Sequence, residues 1–182
     1  MSRPSYVARL LVDGYNIIGA WSSLKKARDC DGLDIARSEL IEALSNYSAF
    51  QGFETHVVFD AYSQATRGVQ EAVTQNLVVY YTDFGQTADS YIERLCAQHR
   101  GMPRLITQRL IVATSDRAQQ LTVIGYGAEW MSANQLEAEV QASFHRIKQR
   151  QKNRQKSVNR SLMHSLDKTV QEKLTRLRFG IK

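Results

Sequence analysis

The sequence predicts an α/β fold in which a mostly parallel sheet is covered by helices on both faces. Three observations predict it. Short runs rich in apolar and β-branched residues alternate with longer stretches of helical periodicity, the order that right-handed crossovers between parallel strands produce. The runs are close to continuously apolar, as strands buried on both faces are. They also end at acidic or small polar residues, Asp13, Asp60 and Thr114-Ser115-Asp116, as strand ends that open onto a ligand edge do.

Taken in order, Arg9 to Val12 is a buried strand that delivers Asp13 at its carboxyl end. From Leu33 to Phe50 the period turns helical, with Leu33, Ala36, Leu40, Leu44 and Tyr47 near one face and Gly52 as the stop. Thr55 to Phe59 is a second strand, ending in Asp60, and Leu77 to Thr82 a third, leading into Asp83-Phe84-Gly85. A helix from Asp89 to about His99 turns Tyr91 or Ile92, Leu95 and Cys96 inward. Leu110 to Ala113 is a fourth strand. Arg117 to Leu121 reads as a short helix and Thr122 to Tyr126 as a further strand. Ser132 and Gln135 form a capping-box pattern that opens a helix carrying Leu136, Val140 and Phe144. Between Gln149 and Arg160 nearly every residue is polar or basic, which fits a linker or an exposed helical extension. A last helix is expected over Leu162 to Arg178.

The chain has 182 residues and is 43% hydrophobic, enough for one domain with a substantial core plus an extension. We divide it into a domain over 1–148 and a basic linker and helix over 149–182, expected to pack on that domain. No apolar run approaches the roughly 20 residues that cross a bilayer, and the first residues lack a secretion or transit pattern, so a cytoplasmic location is expected. Cys30 and Cys96 stand alone, and no histidine has metal-site spacing. Net charge is +6, unevenly spread: residues 141–182 hold 12 Lys/Arg against two acids. The body is therefore slightly acidic and the tail strongly basic, which suits a polyanionic partner such as RNA, although a run of charge can equally be a solvated helix face.

The acidic residues carry the chemistry. Asp13, Asp60 and Asp116 follow predicted strands, and Asp89 opens a predicted helix. Each alone is explained as a helix cap or turn residue. Gathered at one sheet edge, like charges repel, and a fold tolerates them chiefly around a cation. Oxygen-only ligands favour Mg2+ or Mn2+ over zinc. Such a cation suits phosphodiester hydrolysis. Rival readings find no letters: no G-x-G-x-x-G, no G-x-x-x-x-G-K-[ST] and no G-x-S-x-G occurs, and Tyr15 stands where an aspartyl-phosphate enzyme needs a second Asp.

Asp13-Gly14-Tyr15-Asn16 after an apolar strand resembles the opening motif of the NYN branch of the PIN-like nucleases. Three further segments agree in order and spacing: Val57-Val58-Phe59-Asp60-Ala61, Thr87-Ala88-Asp89-Ser90-Tyr91-Ile92-Glu93 and Val112-Ala113-Thr114-Ser115-Asp116. The likeness is greatest to the YacP-type NYN proteins and covers most of the chain, from about Arg9 to Phe144, with a similar final helix around Glu172 to Arg178. The resemblance implies a Rossmann-like, three-layer PIN/NYN domain with a basic helical C-terminal extension. It also implies a metal-dependent endoribonuclease, with Asp13, Asp89 and Asp116 as catalytic Mg2+ or Mn2+ ligands and Asp60 as a further member of the cluster. Asn16 would orient Asp13 or a phosphate oxygen, or else hold the turn. Glu93 lies one helical turn beyond Asp89 and would reach the metal or its waters, or else be solvated. Candidate RNA contacts are Asn16, Ser115, Arg67, Arg117, Lys148, Arg150, Lys152, Arg154 and Lys156. Some members of the family act with ribosomes on messenger RNA. The alternative reading is a non-catalytic RNA- or ribosome-binding module with the same fold; a third is a DNA-cleaving site of the 5′-nuclease kind.

Overall fold

A computed structural model describes residues 6–61, 68–101 and 108–165, with side chains through residue 155. Strand β1 (Ala8–Asp13) leads directly into helices α1 (Gly14–Ala20), α2 (Ser22–Asp31) and α3 (Leu33–Gln51). Strands β2 (Phe53–Phe59), β3 (Val69–Ala72) and β4 (Leu77–Tyr81) follow, then α4 (Ala88–Arg100), β5 (Arg109–Ala113), α5 (Arg117–Gly125), β6 (Glu129–Met131) and α6 (Ala133–Ser165).

The strands form one sheet in the order β3-β4-β2-β1-β5-β6, parallel throughout except for the antiparallel β3–β4 pair. The chain starts at β1, builds outward through β2 and β4, and then crosses back to place β5 and β6 on the other side. The carboxyl end of β1 is thus the point at which the strand order reverses, where open α/β sheets bind ligands. Asp13 sits there.

Alternation along the strands fills two cores. Leu10 and Val12, Val57 and Phe59, and Ile111 and Ala113 face Ile17, Ile18, Leu24, Leu40, Leu44 and Leu136 from α1, α2, α3 and α6. Leu11, Val58, Leu110 and Val112 face Ile92 and Cys96 of α4 and Val123 of α5. This is the three-layer arrangement expected of the fold. Gly52 stops α3 in the left-handed region at φ +70, where a side chain would be strained.

Three segments depart from expectation. Thr122 to Tyr126 is not a strand: α5 runs through to Gly125, with Val123 buried, Ile124 exposed and Thr122 Oγ1 donating to Ala118 O one turn back. Its β-branched letters mimic a strand, but Val123 is buried and Tyr126, three residues on, packs partly buried against the same core, the spacing of a helix. The strand comes later, as β6, paired parallel with β5. Helices α1 and α2 divide at Trp21, whose buried ring is held by Nε1 donating to Ala133 O at 2.8 Å. Strand β3 is fully exposed at the sheet edge and carries no apolar pattern.

Helix α6 opens as expected, with Gln135 N–H donating to Ser132 Oγ at 3.1 Å, and it continues through residues 149–160, so that segment is helix rather than linker. Beyond Ser165, the helix expected over Leu162 to Arg178 lies outside the described residues. The chain divides into two compact units, Met1–Ser143 and Phe144–Lys182. Among the described residues no helix is long and apolar enough to cross a membrane.

Candidate active site

The Asp-Gly step after β1 has a steric cause. A Cβ on Gly14 would lie 2.2–2.7 Å from atoms of the Phe59 ring, which is itself fully buried between Tyr15 and Tyr81. Only glycine lets α1 start against β2, and that start aims Asp13 back over the helix end. Asp13 is 6% exposed and caps α1: its Oδ1 accepts the Asn16 N–H at 3.0 Å and its Oδ2 accepts Asn16 Nδ2 at 3.1 Å. The other end of that amide, Asn16 Oδ1, accepts from the Ser115 hydroxyl, which ties the loop after β5 to the loop after β1.

Asp60 follows β2 directly, and its Oδ1 accepts the backbone N–H of Ala88, the first residue of α4. That bond fixes the start of α4 and so places Asp89 beside it. Asp89 does not cap its helix. Thr87 does, in a reciprocal capping box with Ser90, which leaves the Asp89 carboxylate available to the edge. Asp116 caps α5, with Oδ1 accepting from Ala118 N–H at 2.6 Å and Gln119 N–H at 3.1 Å.

The four carboxylates feel one another. Partial burial, then the charges of Asp13, Asp116, Asp60 and Glu93, push the Asp89 carboxyl up to about 6. Burial also raises the Asp13 carboxyl, against the Asn16 donors that lower it; Asp60 raises it further and a hydrogen bond with Asp89 lowers it. Asp13, Asp60, Asp89 and Asp116 arrive from four different elements.

Sequence reasoning missed Gln119. It is 3% exposed, and its Nε2 donates to Asp89 Oδ1 while its Oε1 has no partner. Gln119 stands three residues after an Asp cap, the capping-box position from which a side chain usually reaches back to the cap N–H. Here that N–H is already taken by Thr114 Oγ1 at 3.0 Å, so the Gln119 amide turns across to Asp89. The spacing is visible in the sequence; the redirection is tertiary.

The other expected contacts are less gathered. Arg117 opens α5, exposed, next to Asp116. Lys148, Arg150, Lys152 and Arg154 are exposed on α6; Lys156 lies in the same helix with its side chain outside the description, and Arg67 is outside the described residues. At about 100° per residue, positions 148, 152 and 156 form one stripe of α6 and positions 150 and 154 another, roughly opposite.

Residues 10–179 match the YacP-like NYN domain family. The chain belongs to that family. Its domain is of the PIN-like nuclease type. YacP of Bacillus subtilis is 38% identical over 142 residues, which are 78% of this chain and 79% of the relative. The crystal structure of Rae1 (YacP) from the same organism superposes with a TM-score of 0.66 at 34% identity, covering 94% of each chain. A point mutant of that protein superposes at 0.65 and 30% identity, over 93% of this chain and 99% of that one.

The residues present fit a hard divalent cation. All the candidate donors are oxygens, from the carboxylates of Asp13, Asp60, Asp89 and Asp116 with the Asn16 amide and the Ser115 hydroxyl beside them, and burial followed by the neighbouring acids raises the Asp89 carboxyl. Among the described residues no group of three His, Cys, Asp or Glu side chains is arranged to hold a metal ion, so the fit lies in the chemistry of the donor set.

Proposed function

We propose that this YacP-like NYN protein is an endoribonuclease that hydrolyses RNA phosphodiester bonds with Mg2+ or Mn2+ held by Asp13, Asp89 and Asp116. Asp60 completes the cluster and sets the position of α4. The observation that carries this reading is the convergence of Asp13, Asp60, Asp89 and Asp116 from four elements on the edge at the carboxyl end of β1, in a domain of nuclease type; burial first, and then the neighbouring acids, raise the Asp89 carboxyl there to about 6. Structural carboxylates are spread apart or paired with cations, and these are neither.

The bound cation supplies the positive charge that neutralises the phosphodiester and favours ionisation of water near it. The chain's own residues do the rest. Asn16 donates to both oxygens of Asp13, which favours its ionised form against the effect of burial and holds it in one rotamer. Ser115 fixes the Asn16 amide, which makes both residues positioning groups for Asp13. Gln119 does the same for Asp89. Arg117, Arg67 and the α6 cations Lys148, Arg150, Lys152, Arg154 and Lys156 supply positive charge for the RNA backbone. Messenger RNA in the cytoplasm, engaged together with the ribosome, is the substrate setting that this reading favours.

Asp89→Asn is the cleaner test of the site, because an Asp13 amide would turn a donor toward Asn16 Nδ2. Purified protein and Asp89→Asn are incubated with messenger RNA, with and without Mn2+ and with and without ribosomes. Cleavage by the wild type that disappears in chelator and in the variant is expected. Products that survive thorough chelation sink the metal mechanism. RNA binding without any products supports the non-catalytic module instead, and cleavage of DNA oligonucleotides in preference to RNA shifts the substrate.

A further inference from the structure

The loop between β4 and α4 is pinned at both ends to the segment that carries Asp60. On one side Thr82 N–H donates to Phe59 O at 3.0 Å and Thr82 Oγ1 accepts from Ala61 N–H at 3.0 Å. On the other, Ala88 N–H donates to Asp60 Oδ1. Between the pins the chain makes a hydrogen-bonded turn, Gln86 N–H to Asp83 O at 3.0 Å, with Gly85 at φ +80 in the position that a type II turn reserves for glycine. Asp83 Oδ1 accepts Gly68 N–H at 2.6 Å and holds the turn from the side, while the Thr87–Ser90 box fixes its exit.

The residue this built turn displays is Phe84, which is 64% exposed. A phenylalanine on a pinned turn forgoes burial that a polar residue would not miss. The other exposed large hydrophobics of the described unit Met1–Ser143 are aliphatic: Val7, Ile35, Val69, Val73, Leu121 and Ile124. Only Asp83 separates Phe84 from Thr82, so the Phe84 Cα lies within about 7 Å of the Thr82 Cα at the pin beside Asp60. An aromatic face there cannot contact phosphate, but it can stack on a base whose phosphate lies among the carboxylates.

We propose that Phe84 is a stacking platform for an unpaired nucleobase of the RNA strand whose phosphodiester lies at the Asp13, Asp60, Asp89 and Asp116 cluster. The inference rests on the endoribonuclease reading and deepens it, because it commits the substrate to single-stranded RNA next to the cut: a base within a duplex has no free face to offer. The turn is held by two backbone–backbone hydrogen bonds, the Gly68 N–H to Asp83 Oδ1 bond and a capping box, so little backbone freedom is lost on contact.

The experiment uses the full chain with Mn2+ and short single-stranded RNAs that carry 2-aminopurine at successive positions around the mapped cut. Wild type is compared with Phe84→Ala, Phe84→Leu and Phe84→Trp, by initial rates and by fluorescence within the first turnover. Stacking predicts a KM about 5- to 100-fold higher for Phe84→Ala with kcat less changed. Phe84→Trp restores the wild-type value and Phe84→Leu recovers only part of it. Quenching of 2-aminopurine at one position beside the cut should be present in wild type and Phe84→Trp and lost in the other two, at unchanged melting temperature. If the wild type cleaves RNA while Phe84→Ala keeps both KM and quenching, the stacking role is overturned and the nuclease reading stands. A wild type that neither binds nor cleaves RNA overturns the nuclease reading and the stacking role with it.

Discussion

Replacing Asp89 by Asn should make the metal-free protein more stable and the metal-bound protein less so. The Asp89 carboxyl is raised from the ordinary 3.8 to about 6, by partial burial and then by Asp13, Asp116, Asp60 and Glu93. A rise of that size corresponds to a ceiling of roughly 3 kcal/mol. The carboxylate is partly open to water, which screens the repulsion, so about 1 kcal/mol is the working figure. Its sign follows from the direction. A carboxyl whose folded value is raised opposes folding once it is ionised, so the penalty is complete above pH 6 and is relieved as pH falls through 6 toward 3.8.

At pH 7 in chelator, Asp89→Asn therefore gains about 1 kcal/mol, which for a chain of this size is a melting temperature roughly 2–4 °C higher. The amide keeps an acceptor for Gln119 Nε2, so no new buried donor is stranded. Adding Mn2+ at a hundred times its Kd should stabilise the wild type by about 2.7 kcal/mol and the variant by much less. Thermal unfolding at pH 5 and pH 7, with chelator and with Mn2+, reads all four corners. A variant that is less stable than wild type in chelator at pH 7, or that gains as much from Mn2+, refutes the reasoning that the cluster is strained for want of a cation.

Gly14→Ala forces a Cβ into the buried Phe59 ring and should cost about 1–3 kcal/mol in urea unfolding, with loss of activity as Asp13 moves. Gln119→Leu removes both the Asp89 donor and the unpartnered Oε1, so stability should change by less than about 1 kcal/mol while cleavage falls about 10- to 100-fold. Exchanging Lys148, Lys152 and Lys156 for Gln should flatten the dependence of log K on log salt by up to about 2 for single-stranded RNA. The Arg150 and Arg154 pair, on the opposite stripe, should then contribute little; equal slopes for the two sets would place RNA across both faces of α6.

Much of the fold was legible because buried parallel strands are the easiest elements to see. β1, β4 and β5 are built on nearly continuous apolar runs and β2 ends in one, Val57-Val58-Phe59, and each fell within a residue or two of its place. β3 was invisible for the opposite reason: Val69–Ala72 is exposed along its whole length, and its pairing with β4 is a matter of backbone alone. The Thr-Val-Ile letters of α5 show that β-branched composition misleads where only one residue in three faces the core. Gln119 could be named from its spacing, yet its partner, 30 residues away, could not.

The acidic residues raise a deeper point, because in the sequence a cap and a cluster member looked like rival explanations of the same aspartate. In the fold they are one arrangement. Asp13 caps α1, Asp116 caps α5, and Asp60 takes the first N–H of α4, so the amino ends of three helices converge on the edge where the carboxylates meet. Backbone N–H groups and helix dipoles at those ends offset part of the repulsion that gathering the charges creates. Asp116 holds two N–H groups, whereas Asp89 receives no backbone donor and takes the Gln119 amide instead, and burial followed by the charges of its neighbours raises its carboxyl to about 6. Capping is thus the means by which the chain brings the acids together, and the residue left uncapped is the one whose charge most needs a cation. If that ordering is right, neutralising Asp89 should lower Mn2+ affinity more than neutralising Asp60, whose oxygen is already committed to α4; the reverse order, read by isothermal titration, would mean that the helix ends and not Asp89 set the metal site.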